Sequence, residues 1–147
     1  MEMPATAEPA AKGVRLVRVG TFDSPTYLAA PPGDRARRFV VERDGRILLL
    51  RGGRRSTFLD ISGQVDTDGE GGLLSMAFAR DFAESGRFYV YFTDLEGFIV
   101  IDGYRAEGDA VVPGSRRRVL RVPHHRFNHK GGQRVAEVAS LDRKSVV

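Results

Sequence analysis

The sequence predicts an all-β chain, and three observations carry that prediction. Apolar runs are short, turn residues separate them at regular intervals, and no segment sustains the i, i+3, i+4, i+7 spacing of an amphipathic helix. The chain has 147 residues, 41% of them hydrophobic and 29% charged, which is the composition of a folded domain. Short strands in this number fit a sandwich, a barrel or the blades of a propeller, and the pattern alone does not choose among them.

The predicted strands follow one another along most of the chain. They are expected at residues 15–19, 26–30, 38–42, 46–51, 57–61, 73–78, 88–93, 98–105 and 117–123. The clearest hairpin has Asp44 and Gly45 between two apolar runs, because this dipeptide tolerates the positive φ angles of tight turns. Residues 88–92 are expected in the core. A propeller blade takes about 40 to 45 residues, so a chain of this length holds roughly two blades and part of a third.

Charge and composition exclude several classes of function. Lysine and arginine number 23 against 19 aspartate and glutamate, a net charge of +4. The arginines are scattered in loops, whereas a duplex binder gathers them on one stripe, so no nucleic-acid partner is predicted. We expect these side chains to be ordinary solvated charges; they are Arg35, Arg37, Arg38, Arg43, Arg54, Arg55, Arg116, Arg117 and Arg118. The absence of cysteine excludes disulfides and thiolate metal sites, and no apolar run is long enough to span a membrane.

Three short segments are distinctive enough to serve as sequence motifs. The first reads GEGGLLSMAFARDF at residues 69–82, the second reads FYVYFT at residues 88–93, and the third reads NHKGGQ at residues 128–133. In this order and spacing they resemble the soluble quinoprotein glucose/sorbosone dehydrogenases, which include aldose sugar dehydrogenases that depend on pyrroloquinoline quinone (PQQ). The resemblance runs over residues 14–133, which is most of the chain.

This resemblance implies a six-bladed β-propeller, of which two to three blades are present here. It also implies PQQ and calcium as cofactors, an aldose sugar as substrate, an external electron acceptor, and a periplasmic or secreted location. In the family most residues that hold the quinone and calcium belong to later blades. The cofactor-binding residues are therefore unknown in this chain, no metal ligand is assigned, and the segment by itself is expected to be inactive.

The resemblance also assigns three site residues. His129 matches the catalytic base, and Asn128 matches a position lining the sugar pocket. Glu70 or its neighbour Gly71 matches a polar, substrate-binding position of that pocket, and Glu70 is the better candidate because it has a side chain to offer. Oxidation of a sugar at its C1 hydroxyl removes a proton together with a hydride, so a base must lie within hydrogen-bond reach of that hydroxyl. An imidazole with a pKa of about 6.5 is largely neutral, and so able to accept the proton, near neutral pH.

Alternative interpretations remain open. The acidic residues between Asp66 and Glu70 fit a plain turn as well as a calcium loop, although the later glutamate of a helix-loop-helix calcium site is missing. His124 and His125 lie outside the matched motif and are interpreted as loop residues. The whole protein is alternatively a propeller that binds proteins or carbohydrates without catalysis, because fold does not fix function. An unrelated small β-sandwich is a third interpretation.

Both ends of the chain are predicted to lie outside the folded part. Residues 1–13 are rich in Ala, Pro and Glu, which predicts a flexible lead, and they lack the charged-then-apolar pattern of a secretory signal. Residues 14–133 are predicted to form the partial propeller. One frame of a common sequencing-library adapter encodes residues 142–147, so residues 134–147 are expected to be a non-native tail that packs poorly.

Overall fold

The computed structural model describes residues 13–124 and 129–131, and this part of the chain is nearly all β-structure. Its strands are β1 (Pro25–Ala29), β2 (Arg37–Glu42), β3 (Arg46–Arg51), β4 (Arg54–Asp60), β5 (Leu73–Phe78), β6 (Arg87–Thr93), β7 (Ile99–Glu107), β8 (Ala110–Val111) and β9 (Arg117–Val122). Two short helical turns accompany them, a 3-10 turn at Ser62–Gln64 and the helix α1 at Phe82–Ser85. No helix in these ranges is long and apolar enough to cross a membrane.

The strands form two antiparallel sheets. The first has the order β1-β2-β3-β4, and in the second β5, β6, β7 and β9 are neighbours, with the short β8 paired to the end of β7. Each sheet is therefore a four-stranded meander that follows the order of the sequence, which is how a propeller blade is built. The all-β prediction is confirmed, and the two sheets match two blades.

The expected strand at residues 15–19 is wrong. These residues are exposed and carry no strand, and the side chain of Leu16 is 95% exposed. The segment is rich in apolar residues, as strands are, but a strand also needs a neighbour for its main-chain hydrogen bonds. In the described part of the chain β1 pairs with β2, and nothing pairs with residues 15–19. The other eight expected strands are confirmed within a few residues at each end.

The predicted turn at Asp44 and Gly45 joins β2 to β3. The Gly45 N–H donates to the Glu42 carbonyl at 3.1 Å, and Gly45 has φ +117°. A Cβ at this position would lie 2.6 Å from Ser62 Cα. Glycine is therefore required both for the backbone angle and for the close approach of the next loop.

The main core lies between the two sheets. Alternate residues of β2, β3 and β6 face it, and Phe39 of β2 contacts Phe58 and Phe78 edge-on at 4.7 and 5.0 Å between ring centroids. The expected core strand is confirmed, because Phe88, Val90 and the other residues of 88–92 are mostly buried. Burial of each large apolar side chain contributes about 1.5–3 kcal/mol, so this double layer is the main stabilising element.

Two arginines predicted to be solvated also anchor a buried carboxylate. Asp102 on β7 is fully buried, and its two oxygens accept hydrogen bonds from Arg116 Nε at 2.7 Å and Arg118 Nε at 2.5 Å. A carboxylate is buried at tolerable cost only when it is paired and hydrogen-bonded. Arg116 and Arg118 are exposed, as predicted, but their pairing with Asp102 was not predicted because that partner comes from the neighbouring strand.

The antiparallel strands place the connecting loops at two ends of the sheets. We call one of them the glycine-loop end; it contains residues 43–45, 61–72, 94–98 and 129–131. The opposite end contains residues 30–36, 52–53, 79–86 and 108–116. Both predicted site residues that the structure describes lie at the glycine-loop end.

Candidate functional site

The structure brings two of the predicted site residues together. Glu70 Oε2 accepts a hydrogen bond from the main-chain N–H of His129 at 2.7 Å, although 59 positions separate them in the sequence. Both residues are exposed. Asn128, the third predicted site residue, lies outside the described residues, as does His125. Glu70 and His129 therefore form the geometric centre of the candidate site.

The Glu70 carboxylate supports an uncommon backbone conformation at His129. His129 has φ +61°, in the left-handed region that residues other than glycine rarely adopt. A hydrogen bond in which the acceptor is ionised is roughly twice as strong as a neutral one. The contact with Glu70 thus stabilises this conformation and fixes the point from which the exposed imidazole projects.

A second contact anchors the residue after His129. Lys130 is 4% exposed, and its carbonyl oxygen accepts a hydrogen bond from the Tyr91 hydroxyl of β6. Burial raises the pKa of the Tyr91 phenol, because the phenolate would lose hydration. Tyr91 therefore stays protonated, and remains a donor, throughout the neutral range. The main chain is therefore anchored on both sides of the imidazole, by Glu70 at the His129 N–H and by Tyr91 at the Lys130 carbonyl.

Glu70 itself sits in a tight loop at the start of β5. The Asp68 N–H donates to Asp66 Oδ1 and the Gly71 N–H donates to the Asp68 carbonyl, each at 2.9 Å. A Cβ on Gly71 would lie 2.6 Å from the Asp66 carbonyl oxygen and 2.9 Å from that of Asp68. No side chain fits there without moving the backbone. Gly71 lets the loop fold back on itself, which places Glu70 at its tip.

Arg43 completes the loop and was not among the predicted site residues. It extends from the β2–β3 hairpin of the first sheet, and its guanidinium donates to the carbonyls of Thr67 (2.7 Å from Nη2), Gly69 and Gly71 (2.8 Å from Nε). The prediction of an ordinary solvated charge at Arg43 is wrong. The sequence signal is weak, because a glycine-rich loop exposes carbonyl oxygens without indicating which donor will reach them.

The described residues do not fit a complete cofactor site. No group of three or more His, Asp and Glu residues is placed to share a metal ion within the described ranges, and the carbonyls of the Glu70 loop face Arg43 instead. An anionic quinone needs cationic partners, yet Arg46 and Arg121 at this end are paired with aspartate and glutamate. The described residues therefore form a platform around His129 but do not make up a calcium or PQQ site.

A cavity elsewhere in the segment does not coincide with this platform. It has a volume of about 570 Å³ and lies on the first sheet, where Phe22, Arg38, Leu50 and Arg55 line it. Neither Glu70 nor His129 belongs to its lining. The cavity and the motif residues therefore lie in different places. The candidate site is assigned from the motif residues and their hydrogen bonds, and not from the cavity.

Comparison with known proteins agrees with the fold and with the motifs at the site. The family model described as Glucose / Sorbosone dehydrogenase matches residues 22–135. The PQQ-bound form of aldose sugar dehydrogenase from Streptomyces coelicolor is 32% identical with a TM-score of 0.63, covering 86% of this chain and 39% of that one. The oxidoreductase (glucose dehydrogenase) of Thermus thermophilus is 34% identical with a TM-score of 0.62, covering 74% of this chain and 31% of that one.

A plant relative matches a shorter region. The HIPL2 protein of Arabidopsis thaliana is 33% identical in an alignment of 92 positions, and the match covers 55% of this chain and 13% of that protein. The chain thus spans 31% to 39% of the length of the two solved relatives above, and less of the plant protein. Since the family model covers most of the chain and the structure agrees with it, the chain belongs to the glucose/sorbosone dehydrogenase family.

Proposed function

We propose that the whole protein containing this segment is a PQQ-dependent dehydrogenase that oxidises aldose sugars at the C1 hydroxyl, and that the segment supplies its general base. The family and the solved relatives support an oxidoreductase of the glucose dehydrogenase kind. The single observation in this chain that carries the finer proposal is the hydrogen bond between Glu70 and the His129 main chain. It joins two family motifs into one rigid platform around an exposed imidazole.

His129 acts on the proton of the reaction. Its neutral imidazole accepts the proton of the C1 hydroxyl, and the hydride that leaves C1 carries two electrons to the acceptor. The C1–O bond then becomes a carbonyl, so the sugar leaves as the two-electron oxidised lactone. The exposure of His129 allows a sugar to approach, and its anchored backbone reduces the freedom lost when imidazole and hydroxyl align.

Glu70 has two roles in this proposal, one for each oxygen of its carboxylate. Its Oε2 oxygen accepts from the His129 N–H, and Oε1, the other carboxylate oxygen, accepts a hydrogen bond from a sugar hydroxyl in this proposal. Asn128, next to the base in sequence, lines the same sugar pocket in this proposal. Substrate binding and placement of the base therefore depend on neighbouring groups.

The cofactors belong to the whole protein in this proposal. A relative solved in its PQQ-bound form supports PQQ as the electron acceptor, and calcium is proposed as its companion ion. The groups that hold them are proposed to lie outside this segment, because the residues that the structure describes do not fit the task. The segment alone is then inactive. An external acceptor reoxidises the cofactor, and a periplasmic or secreted location is proposed.

The experiment is His129→Ala in the full-length protein supplied with PQQ and calcium, assayed by dye reduction with aldoses. Loss of a positioned general base should lower kcat by about 10²- to 10⁴-fold. His124→Ala is the control, since this neighbouring histidine lies outside the motif and should leave the rate unchanged. If the folded, loaded His129→Ala protein oxidises sugar at the parent rate, the base is misassigned. If the parent binds no quinone, a non-catalytic binding module replaces the proposal.

A further inference from the structure

Arg43 makes contacts with both its main chain and its side chain at the glycine-loop end. Its N–H donates to the Ser24 carbonyl at 3.0 Å, and its carbonyl accepts from the Leu73 N–H at 2.9 Å. Its guanidinium reaches the carbonyls of the loop that carries Glu70. This one residue therefore joins the first sheet to the first strand of the second sheet and to the candidate site.

The second sheet is shaped to admit Arg43. Gly72 has φ +142°, and a Cβ there would lie 2.5 Å from Arg43 Cγ and 2.7 Å from its carbonyl oxygen. The start of β5 can approach Arg43 only because residue 72 has no side chain. Gly72 is thus matched to the arginine, whereas Gly71 lets the same loop pass close to the carbonyls of Asp66 and Asp68.

The guanidinium grips the loop on both sides of Glu70. Two of its three acceptors are the carbonyls of Gly69 and Gly71, the residues that flank Glu70 in sequence. The Glu70 carboxylate in turn holds the main chain of His129. We infer that Arg43 is a positioning residue for the base, acting through the Glu70 loop; this inference rests on the proposed function of His129.

Arginine suits this task better than lysine does. A guanidinium is planar and presents five N–H donors in a rigid fork, whereas an ammonium is a compact charge on a flexible stem. Three carbonyls spread along a loop can be engaged together by the fork through Nε and Nη2. Lysine in this position keeps the charge and reaches fewer of these oxygens, so it should position Glu70 only in part.

The test compares Arg43→Met and Arg43→Lys with the control Arg37→Met in the full-length protein loaded with PQQ and calcium. Arg37 makes a comparable contact at the opposite end, where its guanidinium donates to the Gly108 carbonyl at 2.8 Å and to Asp34 at 2.6 Å. Two quantities are measured: kcat, and the hydrogen-exchange rate of the His129 amide. The second reports the Glu70 contact directly and does not depend on turnover.

Arg43→Met should lower kcat by about 10- to 100-fold, because a small misplacement of a catalytic group has effects of that size. It should also make the His129 amide exchange faster by about tenfold or more, and Arg43→Lys should restore part of both. Arg37→Met should change neither quantity. If Arg43→Met matches Arg37→Met in both, Arg43 has a structural role only and the inference is overturned.

Two other outcomes are also decisive. Should Arg43→Met fail to fold, Arg43→Lys carries the same comparison, and parent-like kcat and exchange in that variant overturn the inference. If His129→Ala retains the parent rate, the proposed function fails, and the inference fails with it. If His129→Ala is inactive while Arg43→Met behaves as the parent does, only the inference fails.

Discussion

The contacts around Arg37 at the opposite end and around Arg43 at the glycine-loop end differ in their main partners. At the opposite end the charged groups pair with one another, as Arg37 does with Asp34 at 2.6 Å and with Asp109 at 3.5 Å. At the glycine-loop end, Arg43 donates to main-chain carbonyls and the Glu70 carboxylate accepts from a main-chain N–H. Arg37 is thus held mainly by carboxylate side chains, with one bond to the Gly108 carbonyl, whereas Arg43 is held by main-chain carbonyls. Ion pairs are present at the glycine-loop end as well, at Arg46 and Arg121.

The two kinds of contact, side chain to side chain and side chain to backbone, constrain the chain differently. An ion pair near the surface contributes little, about 0–1 kcal/mol, and by itself it joins two side chains and does not fix the path of a loop. A charged side chain bonded to carbonyls or an N–H fixes the course of a loop and removes orphan polar groups at the same time. A site that must hold an imidazole in one place requires the second kind of contact. Glu70 and His129 lie where that kind is found.

The largest effect on stability is expected from Gly71→Ala at the glycine-loop end. Its Cβ would collide with two backbone carbonyls, so the free energy of unfolding should fall by about 1–3 kcal/mol, the usual cost of overpacking. Gly63→Ala is the matched control, because a Cβ there meets nothing within 4 Å and should change stability by about 0.5 kcal/mol at most. Denaturant unfolding of the full-length variants measures both. Equal losses in the two variants would show that the loop is not tightly built.

A smaller effect, dependent on pH, is expected at the opposite end. The Arg37 hydrogen bond, opposed by burial, holds the pKa of Asp34 below its usual value of 3.8. Because the folded pKa is the lower one, this carboxylate stabilises the fold above about pH 4 and loses that contribution as pH falls through the folded pKa. Asp34→Asn should therefore flatten the acid part of the curve of unfolding free energy against pH. Parallel curves for parent and variant would contradict the ion-pair account of this end.

Most of the fold could be predicted because its signals are local. Short apolar runs and the Asp44-Gly45 turn follow from residue types next to one another, and eight expected strands agree with the structure. The strand expected at residues 15–19 was wrong because a short apolar run says nothing about a pairing partner. The one-turn helix that begins at Phe82 was not predicted, because four residues are too few to show a helical periodicity.

The candidate site was less predictable, for a physical reason. Glu70 and His129 were assigned from motifs that resemble a family, and nothing in their spacing indicated that the carboxylate of one would hold the backbone of the other. Arg43 was missed altogether, because its partners are carbonyl oxygens, which every residue has. Contacts between a side chain and a distant main chain have no residue-type signature, so they appear only when the fold is known.

The most direct test is a crystal structure of the full-length protein with an aldose bound. The proposed function predicts an imidazole nitrogen of His129 within about 2.6–3.2 Å of the C1 hydroxyl oxygen, the reach of a general base. It also predicts that Glu70 still accepts the His129 N–H, as it does in this segment at 2.7 Å. A sugar bound away from the glycine-loop end, for example in the cavity beside Arg38 and Arg55, with His129 out of reach, would contradict it.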